Sequence, residues 1–421
     1  MGLLRAISRV IIGLLFLFSG YVKVIDPVGG GLMMEEYFKI VGIDGWHNLF
    51  IVAGAFLSIA ELLTGIAVLV GLKMKFFCRV AFVFLLFFTI LTLLLAIFDP
   101  VADCGCFGEA IKLTNWETFF KNLVLLPFAI LLNYQSNRFI PVAPSHWEWG
   151  FTAFFALLLA LLSVYSYRNL PMVDLMEFRT GTNIRERLSY SFDKDTPRFE
   201  TLLIYTKDGK EYQFSMDNLP DSSYTFKDSR TREVGGRRSL SYIDFAVSDS
   251  AGDYITDSLL SISGPLFIAT TPYSDFLGKR RIARLNSLYD TLLSKDIPMI
   301  LLSGSGHQEN IALKSGFGLK PAIYHTDKKT IYTINRSYGG VVYLYDAVVV
   351  SKWSTSGIPF RELDGLLLED PELLAAKRRI REHLAVEFTA FALLVIIAAM
   401  RCFLRIFYKH KNDETGKEQE P

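Results

Sequence analysis

The sequence predicts a polytopic α-helical membrane bundle of about six helices, with an external α/β domain and a small β-rich subdomain. Apolar residues make up 51% of the 421 residues, and 34 residues are phenylalanine, which is typical of a chain that has a bilayer as its solvent. A long polar stretch, roughly 168–383, separates the last two apolar runs. The predicted partner is therefore the lipid bilayer, and a net charge of +1 gives no reason to expect nucleic acid.

The apolar runs define the predicted helices. Five of them, at roughly 6–25, 48–71, 79–98, 149–167 and 384–407, are long enough to cross a hydrocarbon core of about 30 Å. A sixth run, from Thr118 to Tyr134, is shorter and contains Lys121 and Pro127, and we predict that it also crosses the bilayer. An even number of helices places both chain termini on the same side.

Basic residues in the short loops indicate the direction of the helices, because they favour the cytoplasmic side. One set of helix ends carries Arg5, Arg9, Lys73, Lys75, Arg79, Arg401, Arg405, Lys409 and Lys411. In the alternate loops, 26–47 and 99–117, most of the charged residues are Asp or Glu. We therefore predict that both termini are cytoplasmic and that the polar domain lies outside.

The polar stretch divides into a β-rich part and an α/β part. Residues from about Arg185 to Asp257 alternate as strands do, and the Lys-Asp-Gly turn within TLLIYTKDGKEYQFSM indicates a hairpin. The pattern then becomes strand, helix, strand in GPLFIATTPY, 274–296 and IPMILLSGS. The predicted helix places these apolar residues on one face: Leu277, Ile282, Leu285, Leu288 and Leu292. A hairpin around Asp346 and a helix over 362–383 complete the pattern.

A βαβ unit followed by a hairpin and a helix resembles a thioredoxin-like domain. In that fold the first strand leads into a Cys-x-x-Cys at a helix N-terminus, where the helix dipole lowers a thiol pKa. Here the matching stretch is ATTPYSDF, without cysteine, and Gly339 and Gly340 stand where the fold has a cis-proline. We therefore expect this domain to bind a partner or support the fold rather than to exchange disulfides.

Three segments of residues 1–135 carry a second resemblance: GLLFLFSGYVKVIDP, AELLTGIAVLVG and DCGCFG. They resemble the DoxX and MauE families, four-helix proteins of bacterial inner membranes. The additional NLPMVDLMEFRTGTNI segment and the cysteine-free domain are similar to a DoxX-type protein widespread in Bacteroidetes. Some MauE-type proteins are implicated in maturing disulfide-containing periplasmic enzymes beside a thioredoxin-like partner. The resemblance thus implies an inner-membrane protein with a periplasmic domain.

The predicted organisation follows from these patterns and resemblances. Residues 1–135 form a four-helix membrane domain, and 136–168 form a cytoplasmic loop with the fifth helix. The β-rich subdomain covers 169–257, and the thioredoxin-like domain without Cys-x-x-Cys covers 258–383. Residues 384–421 form the sixth helix and a cytoplasmic tail.

Cys104 and Cys106, separated by one glycine in a predicted external loop, are the first candidate site. An oxidising compartment permits a disulfide between them. Such a disulfide closes a small strained ring, and strain raises the reduction potential, which suits an oxidant. The alternative is a turn constraint without turnover. We expect no metal, because no second cysteine pair or nearby histidine completes a tetrahedral site, and His47 is the only external histidine of the membrane part.

Glu61 and Lys23 are the second candidate site. Glu61 lies near mid-membrane in the second predicted helix, where a carboxylate is costly unless it is paired or protonated. Lys23, at the outer end of the first helix, is the first predicted partner, and Lys121 is the second. The pair is expected either to form a functional site for a proton or a cofactor, or only to hold helices together.

The leading functional hypothesis is an accessory of periplasmic thiol-disulfide or protein-maturation chemistry that uses Cys104 and Cys106. The alternative is a non-enzymatic envelope scaffold, whose thioredoxin-like domain docks periplasmic or envelope proteins. A small-molecule transporter ranks third, because five or six helices with one intramembrane carboxylate provide little of a transport pathway. The sequence identifies no cofactor and no electron acceptor.

Fusions to alkaline phosphatase test the predicted topology. We expect a fusion after Tyr134 to be inactive, because that end faces the cytoplasm, and a fusion after Asp208 to be active, because the polar domain lies outside. Phosphatase activity in intact cells is the measurement, with equal amounts of each fusion on immunoblots as the control. The reverse pattern of activity would contradict the topology.

Overall fold

The computed structural model describes residues 2–43, 45–101, 104–189, 198–207, 210–215, 220, 223–234, 245–337 and 339–417. The chain forms two compact units, each of which is described by itself. One comprises Met1–Tyr167, Pro171–Val173 and Glu382–Pro421, and the other comprises Arg168–Leu170 and Asp174–Arg381.

The first unit is helical. Its helices are α1 (Gly2–Val24), α2 (Pro27–Ile40), α3 (His47–Val70), α4 (Met74–Phe98), α5 (Asn115–Tyr134) and α6 (Ser145–Arg168). Apolar side chains of α1, α3 and α4 meet in its core, among them Ile12, Leu62, Ile66 and Ala81, which are completely buried. Many other large apolar side chains of these helices are exposed, as is expected where lipid is the neighbour.

Helix α2 corrects the sequence analysis, which treated 26–47 as a loop. Pro27 occupies the first turn, and the Asp26 side chain caps the helix by accepting a hydrogen bond from the Gly29 backbone N–H at 3.0 Å. The run of three glycines, Gly29–Gly31, hides the helix from pattern analysis, because glycine is a poor helix former. Close packing explains one of them, since a Cβ atom on Gly31 would lie 2.4 Å from the Ile51 side chain.

Helix α5 covers the sixth predicted span. It has 20 residues, begins with a capping box formed by Thr114 and Glu117, and contains Pro127. It is not among the helices of the described chain that are long and apolar enough to cross a membrane. That it crosses therefore stays a prediction.

Helices α1 and α3 approach each other closely at two glycines. A Cβ atom added to Gly20 would lie 2.4 Å from the backbone nitrogen of Leu62, and one added to Gly65 would lie 2.4 Å from that of Leu17. Small residues at such positions let the backbones of membrane helices come together. This contact determines which side chains of α1 face α3.

The second unit contains two sheets. Its elements before the larger sheet are α7 (Ile184–Ser189), β1 (Arg198–Lys207), β2 (Lys210–Ser215), β3 (Thr225–Val234) and α8 (Thr256–Leu260). The three strands form an antiparallel sheet in the order β2-β1-β3. Lys207 pairs with Lys210, which confirms the predicted hairpin, although its turn residues 208–209 lie outside the described residues.

The larger sheet has five strands. Its elements are β4 (Pro265–Thr271), α9 (Lys279–Leu293), β5 (Met299–Ser303), α10 (His307–Phe317), β6 (Ala322–His325), α11 (Lys328–Ile334), β7 (Gly340–Tyr345), β8 (Val348–Ser354) and α12 (Leu363–Leu368). The strand order is β6-β5-β4-β7-β8. The first three strands are parallel, and β7 and β8 are antiparallel to their neighbours.

Apolar clusters cover both faces of this sheet. Phe267 and Ala269 of β4 belong to the cluster that contains the buried face of α9, whereas Leu266 and Ile268 belong to the cluster on the other face. Four of the five apolar residues predicted to lie on this helix belong to α9 and are buried, whereas Leu277, which is also buried, precedes α9. The hairpin around Asp346 is also confirmed, and Asp346 has the positive φ of 49° that such a tight turn requires.

The last helix, α13 (Pro371–Lys417), contributes residues to both units. Its segment Pro371–Leu404 is one of five helices in the described chain that are long and apolar enough to span a membrane, the others being α1, α3, α4 and α6. The chain is therefore a multi-pass membrane protein.

Substitution of Gly20 tests the close contact of α1 and α3. Gly20→Val should lower the free energy of unfolding by about 1–3 kcal/mol, because the new side chain would collide with backbone rather than with a movable side chain. Gly150→Val is the matched control, since a Cβ atom added to Gly150 of α6 would have no neighbour within 4 Å. Thermal unfolding in detergent is the measurement, and equal melting temperatures for the two variants would contradict the contact.

Candidate functional site

Cys104 and Cys106 lie in the loop between α4 and α5. Both are free thiols, and their Sγ atoms are 2.9 Å apart. Gly105 between them has a φ of +58°, a left-handed conformation that glycine adopts most easily. Asn115, at the start of α5, donates a hydrogen bond to the carbonyl of Val101, which precedes this turn, at 2.8 Å.

The two thiols have different surroundings. Cys104 is buried in a small apolar cluster with Leu95 and Val101, and its Sγ atom lies 3.2 Å from the Thr118 hydroxyl. Cys106 is only partly buried. The ammonium group of Lys121 lies 4.1 Å from the centre of the Phe107 ring, next to the turn.

These surroundings separate the acidities of the thiols. The pKa of Cys104 is lowered to about 6, mainly because the Cys106 thiol can donate a hydrogen bond to its thiolate, and Thr118 and the charge of Lys121 contribute as well. The pKa of Cys106 is raised well above its ordinary value, first by the hydrogen bond with Cys104 and then by burial. Of the two thiols, Cys104 is therefore the one that loses its proton more readily.

Lys23 and Glu61 form an ion pair. Lys23 Nζ lies 2.8 Å from Glu61 Oε2, and both side chains are largely buried. The structure therefore brings together the two residues that the sequence analysis paired. Lys121, the second predicted partner of Glu61, lies instead beside the cysteine turn.

Ser19 joins the ion pair to the cysteine turn. Its Oγ atom lies 2.6 Å from Glu61 Oε1 and 2.7 Å from the carbonyl oxygen of Cys106. Lys23 Nζ donates to Ser19 Oγ at 3.2 Å. The two candidate sites of the sequence analysis are consequently one connected site.

Sequence reasoning did not identify Ser19, Thr118 or Tyr37, whose hydroxyl donates to the Cys104 carbonyl at 2.5 Å. A signal existed for Ser19, because it lies one helical turn before Lys23 and shares its face of α1. Tyr37 had none, since α2 was not predicted.

The other two cysteines of the chain, Cys78 and Cys402, and His47 lie apart from this site. Cys78 is fully buried in α4, and Cys402 is exposed on α13. His47 Nδ1 lies 2.7 Å from Glu35 Oε2, so its contact is with a carboxylate of α2. Within the part of the chain that the structure describes, no three His, Cys, Asp or Glu side chains group as metal ligands would.

Two segments of the chain match known families. Residues 1–135 match the family of the methylamine utilisation protein MauE, and this match includes every residue of the connected site. Residues 199–234, in the three-stranded sheet, match a domain of unknown function, DUF8463. No curated protein matches the chain. Residues 1–135 are therefore similar to a MauE-like membrane family.

The lowered pKa of Cys104 predicts the pH dependence of its alkylation. Only the thiolate reacts, so the rate with iodoacetamide should rise as the pH increases through about 6 and then level off. Thr118→Val should move this midpoint to higher pH, because the Thr118 hydroxyl, which accepts from the Cys104 thiol, can turn and donate to its thiolate. Rates are measured by mass spectrometry of the Cys104 peptide in the reduced protein.

Thr89→Val is the matched control for this experiment. The Thr89 hydroxyl is also buried, but it donates to the Leu85 carbonyl of its own helix. This variant should keep the midpoint of the unsubstituted protein. A midpoint near the ordinary thiol value of 9.0 in the unsubstituted protein would show that the pKa of Cys104 is not lowered.

Proposed function

We propose that this chain exchanges disulfides with client proteins through Cys104 and Cys106, as an accessory of thiol-disulfide or protein-maturation chemistry. The observation that carries the proposal is the pair of free thiols whose sulfur atoms lie 2.9 Å apart and differ in acidity. A short movement brings such atoms to the bond length of a disulfide, which is about 2.05 Å. The similarity of residues 1–135 to MauE supports a role in maturation.

The exchange has two steps. The Cys104 thiolate attacks a client disulfide, so that a bond forms between Cys104 Sγ and one client sulfur while the other leaves as a thiolate. The Cys106 thiol then gives its proton to a client thiolate, and its sulfur attacks Cys104 Sγ and releases the first client sulfur. The client gains two electrons and one proton, and the pair becomes a disulfide. The reverse sequence forms a disulfide in the client.

We also propose that the site faces the periplasm from the bacterial inner membrane. The acidic character of the loop 99–117, set against the basic residues at the opposite helix ends, supports this orientation. An oxidising compartment is also where a cysteine pair can persist as a disulfide.

The second unit is proposed to be a thioredoxin-like domain that binds the client. The succession β4, α9 and β5, followed by the hairpin β7–β8 and a helix, supports this fold, although α10, β6 and α11 lie between β5 and the hairpin. Residues 168–383 contain no cysteine, so this domain cannot exchange a disulfide itself. The role that we propose for this domain is therefore binding, which is also the role that the scaffold hypothesis gives it.

Trapping of a mixed disulfide tests the proposed exchange. In a background with Cys78→Ser and Cys402→Ser, the Cys106→Ser variant should accumulate a covalent adduct between Cys104 and a client, because no second thiol resolves it. The adduct is detected by non-reducing electrophoresis and identified by mass spectrometry of the Cys104 peptide. Cys104→Ser is the control and should give no such adduct, because it lacks the nucleophile.

Complementation distinguishes this function from a scaffold. The double variant Cys104→Ser with Cys106→Ser should behave like a deletion of the whole gene, whereas the chain without Cys78 and Cys402 should complement fully. If the double variant also complements, the exchange does not occur in the cell and the scaffold hypothesis replaces it.

A further inference from the structure

The Cys-Gly-Cys turn is held at two peptide carbonyls by hydroxyls from different helices. Tyr37 of α2 donates to the Cys104 carbonyl at 2.5 Å, and Ser19 of α1 donates to the Cys106 carbonyl at 2.7 Å. Gly105 lies between these two carbonyls. The backbone on both sides of the glycine is thus fixed by helices that are distant in sequence.

Ser19 has one hydroxyl proton and two acceptors for it. Glu61 Oε1 lies 2.6 Å from Ser19 Oγ, and the Cys106 carbonyl lies at 2.7 Å. An ionised carboxylate is the stronger acceptor. Without a cation beside it, Glu61 would therefore accept the hydrogen bond of Ser19 in place of the Cys106 carbonyl. Lys23 reduces this competition, because its ammonium group donates to Glu61 Oε2 at 2.8 Å.

We propose that Ser19 and Tyr37 are positioning residues that hold the two thiols in a geometry from which a disulfide can form. The Lys23–Glu61 ion pair acts on the position of the thiols through Ser19. This inference rests on the proposed function, because it concerns the equilibrium between dithiol and disulfide. The hydrogen bonds of Ser19 and Tyr37 to the turn end on carbonyl oxygens. Their effect on the sulfur atoms is therefore exerted through the backbone.

The physical basis is the restriction of the turn. A free Cys-Gly-Cys segment samples many sulfur separations, and fixing its carbonyls limits these to short ones, which raises the effective concentration of one thiol at the other. Loss of one clamping hydrogen bond should lower the equilibrium constant for disulfide formation about fivefold, since such a bond contributes about 1 kcal/mol.

Equilibration of the full-length chain with glutathione measures this constant. The protein, with Cys78→Ser and Cys402→Ser, is incubated at a series of ratios of reduced to oxidised glutathione, quenched with acid and analysed by mass spectrometry. Tyr37→Phe and Ser19→Ala should each lower the constant about fivefold. The controls are Tyr21→Phe, whose hydroxyl contacts Thr389, and Ser58→Ala, whose hydroxyl contacts the Gly54 carbonyl, and both should keep the original constant.

A double substitution separates positioning from chemistry at the ion pair. Lys23→Met should lower the equilibrium constant for disulfide formation, because the Ser19 hydroxyl then donates its hydrogen bond to Glu61 instead of to the Cys106 carbonyl. Adding Glu61→Leu should restore it, because the Cys106 carbonyl is then the acceptor left for Ser19. If either charge acted chemically, the double variant would stay defective. This variant also removes both charges, so it avoids the unpaired buried charge that could unfold a single variant.

The outcomes distinguish the inference from the function on which it rests. If the unsubstituted pair forms no disulfide at any glutathione ratio, the proposed function fails. If the pair does form a disulfide but Tyr37→Phe and Ser19→Ala keep the original constant, the exchange stands and the clamp is overturned. A double variant that remains as low as Lys23→Met would overturn the role assigned to the ion pair.

Discussion

The carboxylate of Glu61 lies buried within a membrane helix, and the arrangement around it follows from the need to give it a partner. An unpaired charge at this depth costs about 2.5–3.5 kcal/mol on insertion scales, so the bundle has to place a cation beside it. Lys23 fulfils this requirement from α1 at 2.8 Å. The hydroxyl of Ser19 lies 2.6 Å from the second carboxylate oxygen and so is in contact with the same ion pair. The serine is also the residue that reaches the cysteine turn.

The geometry of this pair depends on how closely α1 and α3 pack. Ser19 directly precedes Gly20, whose lack of a side chain lets the backbone of α1 lie against that of α3 at Leu62, the residue after Glu61. A hydroxyl on a short side chain can bridge two helices only where their backbones are this close. The small residue and the polar residue of α1 therefore work together, one by allowing the approach and the other by using it.

Site residues could be predicted from the sequence where their place in a predicted helix, or their spacing along the chain, was enough to indicate their surroundings. Lys23 and Glu61 could be paired because an intramembrane carboxylate requires a cation, and the two cysteines could be singled out because one glycine separates them. Five of the predicted spans and four strands of the larger sheet followed from the pattern of apolar residues, whereas β6 was not predicted. Thr118 was out of reach, because its contact with Cys104 depends on how the loop folds back onto α5. Helix α2, and Tyr37 with it, was missed because glycines interrupt its pattern.

The burial of Cys104 limits which molecules could react with it in the proposed exchange. Cys104 is only 8% exposed and lies in an apolar cluster, so a small thiol in solution or a flexible peptide would meet it rarely. A thiolate of lowered pKa is abundant at neutral pH but is an intrinsically weaker nucleophile, so acidity alone does not make the pair fast. Selective exchange then requires a client that is held in place long enough to react. In the proposed exchange the first unit would supply the thiols, and the second unit would supply a folded surface whose residues 168–383 contain no cysteine to compete for the client's sulfur atoms. If this surface binds the client, it would hold the client near a thiol that is otherwise hard to reach.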